Sequence, residues 1–145
     1  MTNDKTKEVC SVIQLVNDKL HFMGSACDND PVSIDYISPL GDDLGYTSLE
    51  LLLLSLASCL GSAMLTFLRR MNRNISGFEI NSRGLRKEEH PTGFKSIILE
   101  IKLNSPDVTN EEVEKVIWLA EDKYCPVWSM IKGNTLVETK FEIVR

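Results

Sequence analysis

The sequence contains no C-x-x-C pair and only two histidines, His21 and His90, in 145 residues. Its four cysteines, Cys10, Cys27, Cys59 and Cys125, are spaced 17, 32 and 66 residues apart. Neither pattern meets the ligand spacing of a structural zinc site, so no metal and no other cofactor is implied. The opening MTNDKTKEVC has no apolar signal core, and the expectation is a cytoplasmic protein. In that compartment scattered cysteines are buried or reactive thiols more often than structural bridges. Basic excess is also missing. A net charge of −5 argues against nucleic acid as a partner, because binding phosphate requires a basic footprint. Arg69, Arg70 and Arg73 do cluster, and read as a solvated helix end. No arginine precedes Arg69.

What is present has globular proportions. Hydrophobic residues make up 43% and charged residues 26%, which excludes collagen-like and disordered classes. The length suits a single domain spanning 1–145, and no repeat, linker or low-complexity segment divides it.

The patterning alternates between periods of two and 3.6. Val9 to Val16 and Leu20 to Gly24 read as strands around the turn-forming Asn17-Asp18-Lys19, and Val32, Ile34 and Tyr36 suggest a third. Together they predict an antiparallel meander. Thr47-Ser48-Leu49-Glu50 has the capping-box form. The helix it opens is expected to run through Met71, about 24 residues or ~36 Å, with Gly61 as a point of kinking or division. Phe78, Ile80 and Ser82, then Ile97, Leu99, Ile101 and Leu103, alternate as a hairpin. A second capping box, Thr109 with Glu112, starts a helix whose apolar stripe is Val113, Val116, Ile117 and Ala120. It must break near Cys125, because Pro126 disfavours helical geometry in the residue before it. A short helix can restart at Pro126. A last strand carries Val137, Phe141 and Ile143 on one face. The class is α+β.

Leu51 to Leu68 contains 18 residues without a charge, enough by length to span a membrane. Three serines, a threonine and a cysteine lie within it, Glu50 sits immediately before it, and amphipathic strands flank it. The better reading is a soluble helix buried on nearly every side. One two-layer subunit covers only one side of such a helix. A second copy would cover the other, so the run itself predicts a homodimer without a membrane. Ser55, Ser58, Gly61, Ser62 and Ala63 would let two helices approach closely.

Two thiols stand out. Cys59 lies inside the apolar helix, where a free cysteine is usually a small inert hydrophobe. Cys125 occupies an expected N-cap before Pro126, where amides and the helix dipole favour a thiolate. Cys10 and Cys27 read as ordinary strand and loop thiols, and His21 as a strand residue.

The segment Gly45-Tyr46-Thr47-Ser48-Leu49-Glu50-Leu51-Leu52, continuing to Ala57-Ser58-Cys59, resembles the first cysteine motif of the OsmC-like and organic-hydroperoxide-resistance family. Ala120-Glu121-Asp122-Lys123-Tyr124-Cys125-Pro126-Val127 is similar to the second. The order of elements agrees over nearly the whole chain. The resemblance implies antiparallel sheets packed around long central helices in an intertwined homodimer, with active sites at the subunit interface. It also implies a thiol peroxidase acting on organic hydroperoxides, lipid hydroperoxides included, in oxidative or osmotic stress defence. Cys59 would attack the peroxide, Cys125 would resolve the product as a disulfide, and an external dithiol would restore both. The sulfenic acid and disulfide steps are ordinary thiolate chemistry. Leu60, Met64, Trp128 and Met130 are candidates for an apolar substrate lining, or else for core packing.

Two departures bear on the catalytic set of Cys59, Cys125 and Glu50. The family's peroxidase branches join an N-terminal arginine to a glutamate beside the thiolate, whereas only Lys5, Lys7 and Lys19 are available here. A lysine supplies charge without the planar fork. Glu50 lies nine residues before Cys59, against ten in the hydroperoxide-resistance branch, and one residue turns a helical side chain by about 100°. Glu50 therefore has a structural reading, the capping box, beside the catalytic one. The competing function is a non-catalytic dimer that binds an apolar or electrophilic small molecule.

Overall fold

The computed structural model describes residues 4–145. They form two compact units, 4–51 and 52–145, with the boundary in the first turn of the long helix.

The first unit is a three-stranded antiparallel meander of β1 (Val12–Leu15), β2 (Phe22–Ser25) and β3 (Val32–Ile34). Val12 pairs with Ser25 and Leu15 with Phe22, and the β2–β3 register runs from Phe22–Ile34 to Gly24–Val32. The first strand is shorter than its apolar pattern suggests, because its pairing ends at Val12. Asn17 organises the turn by accepting from the Lys19 and His21 amides at 3.0 Å each. Buried Asp35 holds the following loop, its carboxylate accepting from the amides of Tyr36, Asp42 and Leu44. Burial works against that charge, yet the three amides keep its carboxyl below the usual range. Apolar side chains on β1 remain uncovered, with Val12, Ile13 and Leu15 each exposing more than half of their surface.

The second unit follows from α1 (Ser48–Arg70), through β4 (Gly77–Arg86), β5 (Phe94–Asn104), α2 (Asn110–Leu119) and α3 (Pro126–Ile131), to β6 (Leu136–Val144). A π-helical turn, Ala120–Tyr124, joins α2 to the segment before α3. The core is the row Leu56, Leu60, Met64 and Leu68 of α1, alternate residues Ile97, Leu99, Ile101 and Leu103 of β5, and Val113, Val116 and Ile117 of α2. Each fully buried aliphatic contributes on the order of 1.5–3 kcal/mol before entropy is counted. The Thr109–Glu112 capping box forms as its spacing predicts.

Two expectations are corrected. Sheet order is β4-β5-β6, with β5 and β6 parallel from Ser96–Leu136 to Asn104–Val144. The second sheet is therefore mixed rather than antiparallel. Residues 105–135 include two helices, and such a crossover can return the chain to the same end of the sheet. Gly61 does not divide α1, which is one continuous helix. A Cβ at Gly61 would stand 3.0 Å from the Phe78 ring, so the missing side chain admits β4 rather than breaking the helix.

The apolar run is thus a core helix along one row. It is also long and apolar enough to cross a membrane by length and composition. Two of its hydroxyls are satisfied locally: Ser58 Oγ donates to the Ser55 carbonyl at 3.1 Å and Thr66 Oγ1 to that of Ser62 at 2.6 Å.

Candidate active site

Cys59 lies mid-helix, beside the fully buried Leu56 and Leu60 in sequence, and is itself half-buried. Residues 59, 63 and 67 follow one another at four-residue spacing and share a face of α1. The far end of that row is pinned from outside: the Phe67 ring meets Tyr124 edge-on, with centroids 4.8 Å apart. Arg70 lies over the Phe67 ring at 5.7 Å, within cation–π range.

Tyr124 ends the π-helical turn, and Cys125 follows in extended geometry, φ −106° and ψ 96°. The Cys125 amide donates to the Ala120 carbonyl at 2.9 Å, a five-residue span. Pro126 explains the extension, because its ring crowds a helical residue before it. The widened turn is a signal that apolar periodicity does not carry. Such single π turns recur at functional sites.

The two halves meet at sulfur. The thiols of Cys59 and Cys125 lie close enough for Cys59 to act on the ionisation of Cys125, although 66 residues separate them in sequence. Cys125 is 1% exposed and caps α3, its sulfur accepting from the Trp128 amide at 3.4 Å. The cap was expected to favour a thiolate there. Instead burial comes first, then the hydrogen bond to Cys59, and together they push the Cys125 thiol up to about 11 against the pull of the Trp128 and Val127 amides. At neutral pH Cys125 is a protonated thiol.

Glu50 has a defined partner. Its carboxylate accepts from the Thr47 amide at 2.9 Å, and its own amide donates to Thr47 Oγ1 at 3.2 Å. The Thr47 amide, and after it the Thr47 side chain, lower the pKa of the carboxyl, and the carboxylate is engaged in the cap. Among the N-terminal lysines, Lys19 pairs with Asp42 at 2.7 Å. His21 lies just before β2 with its Nε2 2.7 Å from Ser33 Oγ. Of the candidate lining residues, Leu60, Met64 and Trp128 belong to the core, and Met130 is 76% exposed.

A separate shallow groove of about 360 Å³ runs along another face of α1, between Leu54, Ala57, Ser58, Gly61 and Leu65 and the β4 side chains Phe78 and Ile80. Leu54 is half-exposed there. Among the described residues, no three His, Cys, Asp or Glu side chains converge as a metal ion would need.

Known proteins share the fold of this chain. Protein YhfA of Escherichia coli K12 is 22% identical over 125 residues, covering 86% of this chain and 91% of YhfA. A hypothetical protein of Aquifex aeolicus VF5 superposes with a TM-score of 0.82 at 23% identity, over 94% of this chain and 96% of the other. OhrB of Bacillus subtilis, an organic hydroperoxide resistance protein, superposes with a TM-score of 0.64 at 18% identity, over 93% and 98%. These likenesses establish the α+β fold of two sheets and helices. The OsmC-like protein family pattern matches residues 41–140, a span that includes both thiols, and the chain belongs to the OsmC-like family.

Proposed function

We propose that this protein is a thiol peroxidase that reduces organic hydroperoxides through Cys59 and Cys125. Family membership supports a redox or peroxide-related stress role. The observation that carries the finer reading is the contact between a half-buried thiol on α1 and a buried, protonated thiol at the start of α3.

The division of labour follows from that contact. The Cys59 thiolate attacks the distal peroxide oxygen, the O–O bond breaks, and the leaving alkoxide takes a proton to become the alcohol. Cys59 is left as a sulfenic acid. Cys125, already adjacent, attacks that sulfur; the S–S bond forms, and hydroxide leaves as water with the Cys125 proton. An external dithiol then reduces the disulfide by two exchange steps. Protonation keeps Cys125 from competing for the peroxide in the first step, and in the second its proton leaves with the hydroxide as the thiolate forms and attacks. In this reading Glu50 acts through the cap that sets the start of α1. The protein works in the cytoplasm and takes no cofactor.

A homodimer completes the reading. Apolar side chains on β1 and along the α1–β4 groove stay exposed in one chain, and a second copy would cover them, as would an intertwined arrangement of sheets around paired helices. The absence of arginine before Arg69 favours the competing reading, a dimer that holds an apolar or electrophilic molecule without turnover.

Reduced protein mixed with cumene hydroperoxide separates the two. The peroxidase consumes peroxide with loss of two thiols per molecule reduced. Cys59→Ser abolishes consumption, and Cys125→Ser leaves a sulfenic acid that dimedone traps. Unconsumed peroxide with all thiols intact would sink the enzymatic reading.

A further inference from the structure

A cavity of about 380 Å³ opens between the π-helical turn, the end of α3 and the start of β6. That size falls within the range of about 300–1,000 Å³ typical of small-molecule sites. Trp128 lines it and is only 3% exposed. Its backbone amide donates to the Cys125 sulfur, but its indole N–H donates to no described residue. Among the described residues no unpartnered polar side-chain atom is sealed from solvent. The indole N–H therefore reaches the open space that Trp128 lines. A buried tryptophan usually has a partner for that donor, and here the partner must come from the cavity. Two opposite charges stand beside it. Glu121 on the π-helical turn and Lys132 just after α3 both line the cavity, 3.7 Å apart and partly exposed. That separation is too long for a hydrogen bond, and exposed pairs of this kind contribute little to stability, so separating them costs little. Leu136 and Val137 add an apolar wall. The turn between α3 and β6 is fixed, because the Asn134 and Thr135 amides both donate to the Ile131 carbonyl at 3.1 Å and Thr135 Oγ1 to that of Phe94 at 3.2 Å.

We propose that this cavity binds a small zwitterion, an α-amino acid with an apolar side chain. An anion alone would face the Glu121 carboxylate, and a cation alone the Lys132 ammonium. A zwitterion satisfies both. Its ammonium pairs with Glu121, and its carboxylate accepts from Lys132 and from the Trp128 indole N–H, the donor that lacks a partner within the chain. Its side chain lies against Leu136 and Val137. Binding is reversible and makes no covalent bond. Neither Cys59 nor Cys125 lines the cavity, so the site stands whether or not the protein reduces peroxides.

The test titrates the full native chain, reduced and isotopically labelled on nitrogen, with L-leucine, and follows the two indole N–H resonances by NMR. Trp118→Phe assigns them. Trp118 is 57% exposed and lies outside the cavity, so its signal is the internal control. The Trp128 signal should shift saturably as leucine rises into the millimolar range, while that of Trp118 stays in place. Isocaproic acid lacks the ammonium and isoamylamine lacks the carboxylate. Each should bind on the order of tenfold more weakly than leucine, because each leaves a charge of the cavity without its partner. Glu121→Gln and Lys132→Met should weaken leucine binding to a similar degree, with the rest of the amide spectrum unchanged as the check on folding. A Trp128 signal that leucine does not move would overturn the proposal. So would binding of isocaproic acid or isoamylamine as tight as that of leucine, or leucine binding undiminished in both variants.

Discussion

The Phe67 and Tyr124 rings meet edge-on at 63°, and this contact joins the helix that carries Cys59 to the turn that precedes Cys125. Phe67 lies two four-residue steps along α1 from Cys59, and Tyr124 is the residue before Cys125. The ring contact ties the π-helical turn to the helix next to the two thiols.

Removing either ring should therefore slow disulfide closure more than it harms the fold. The pair itself is worth about 0.5–1.5 kcal/mol beyond area burial, which a double-mutant cycle of Phe67→Ala and Tyr124→Ala in urea would read as coupling. The rate of Cys59–Cys125 bond formation after peroxide treatment should fall on the order of tenfold or more in either variant, because small misplacements of reacting groups are costly.

Burial and protonation of Cys125 set an order of modification. Iodoacetamide at pH 7.5 should label Cys59 well before Cys125, as mass spectrometry of time points would show. Labelling of Cys125 should rise with pH toward its pKa of about 11. The linkage has a definite sign. The folded value is raised above the ordinary 9.0, so the protonated thiol's contribution to stability is complete below pH 9 and is lost as pH climbs through 11. Cys125→Ser should flatten the dependence of unfolding free energy on pH in that window.

Glu50→Gln distinguishes a helix cap from an electrostatic partner of the thiolate. Glutamine fills the same capping-box position, so the melting temperature should change little and peroxide reduction should be retained. Thr47→Ala, which removes the reciprocal hydroxyl, should cost about 1 kcal/mol. Loss of turnover in Glu50→Gln with an unchanged melting curve would give the carboxylate a direct role.

The uncovered face of α1 can be tested by charge. Leu54→Glu places a carboxylate in the apolar groove, where a second subunit would have to bury it. Native protein should elute from gel filtration at dimer size and the variant at monomer size. Equal elution of both as dimers would show that this groove is not the interface.

Arg73 grips Glu112 through Nε and Nη2, with contacts of 2.5–3.1 Å, tying the residues after α1 to the first turn of α2. Arg73 is the first cause of the depressed Glu112 pKa, followed by the Thr109 amide. A depressed folded value means that stability is present above the ordinary 4.5 and is lost as pH falls through the folded value. Arg73→Ala should lower the melting temperature at pH 7, and the difference from native protein should shrink near pH 3.

Much of the fold was legible in the chain itself. Thr47 with Glu50 and Thr109 with Glu112 announced two helix starts, because a capping box is satisfied within four residues. Ile97 to Leu103 announced a half-buried strand by alternation alone. Pro126 located the break at Cys125, because the constraint acts on the adjacent residue. The direction of β6 was not legible in this way: the side-chain alternation of a strand is the same in parallel and antiparallel pairing.

The site divides along the same line. The sequence by itself determined where the thiols lie on their elements, Cys59 within an apolar helix and Cys125 before a proline, since both follow from local rules. Only the tertiary structure decided that the sulfurs meet, through a five-residue turn and a ring contact between segments far apart in the chain. It alone decided that Cys125 is a buried, protonated thiol. The N-cap favours the thiolate locally, but the pKa is set by the surrounding burial and the neighbouring thiol, which distant segments supply.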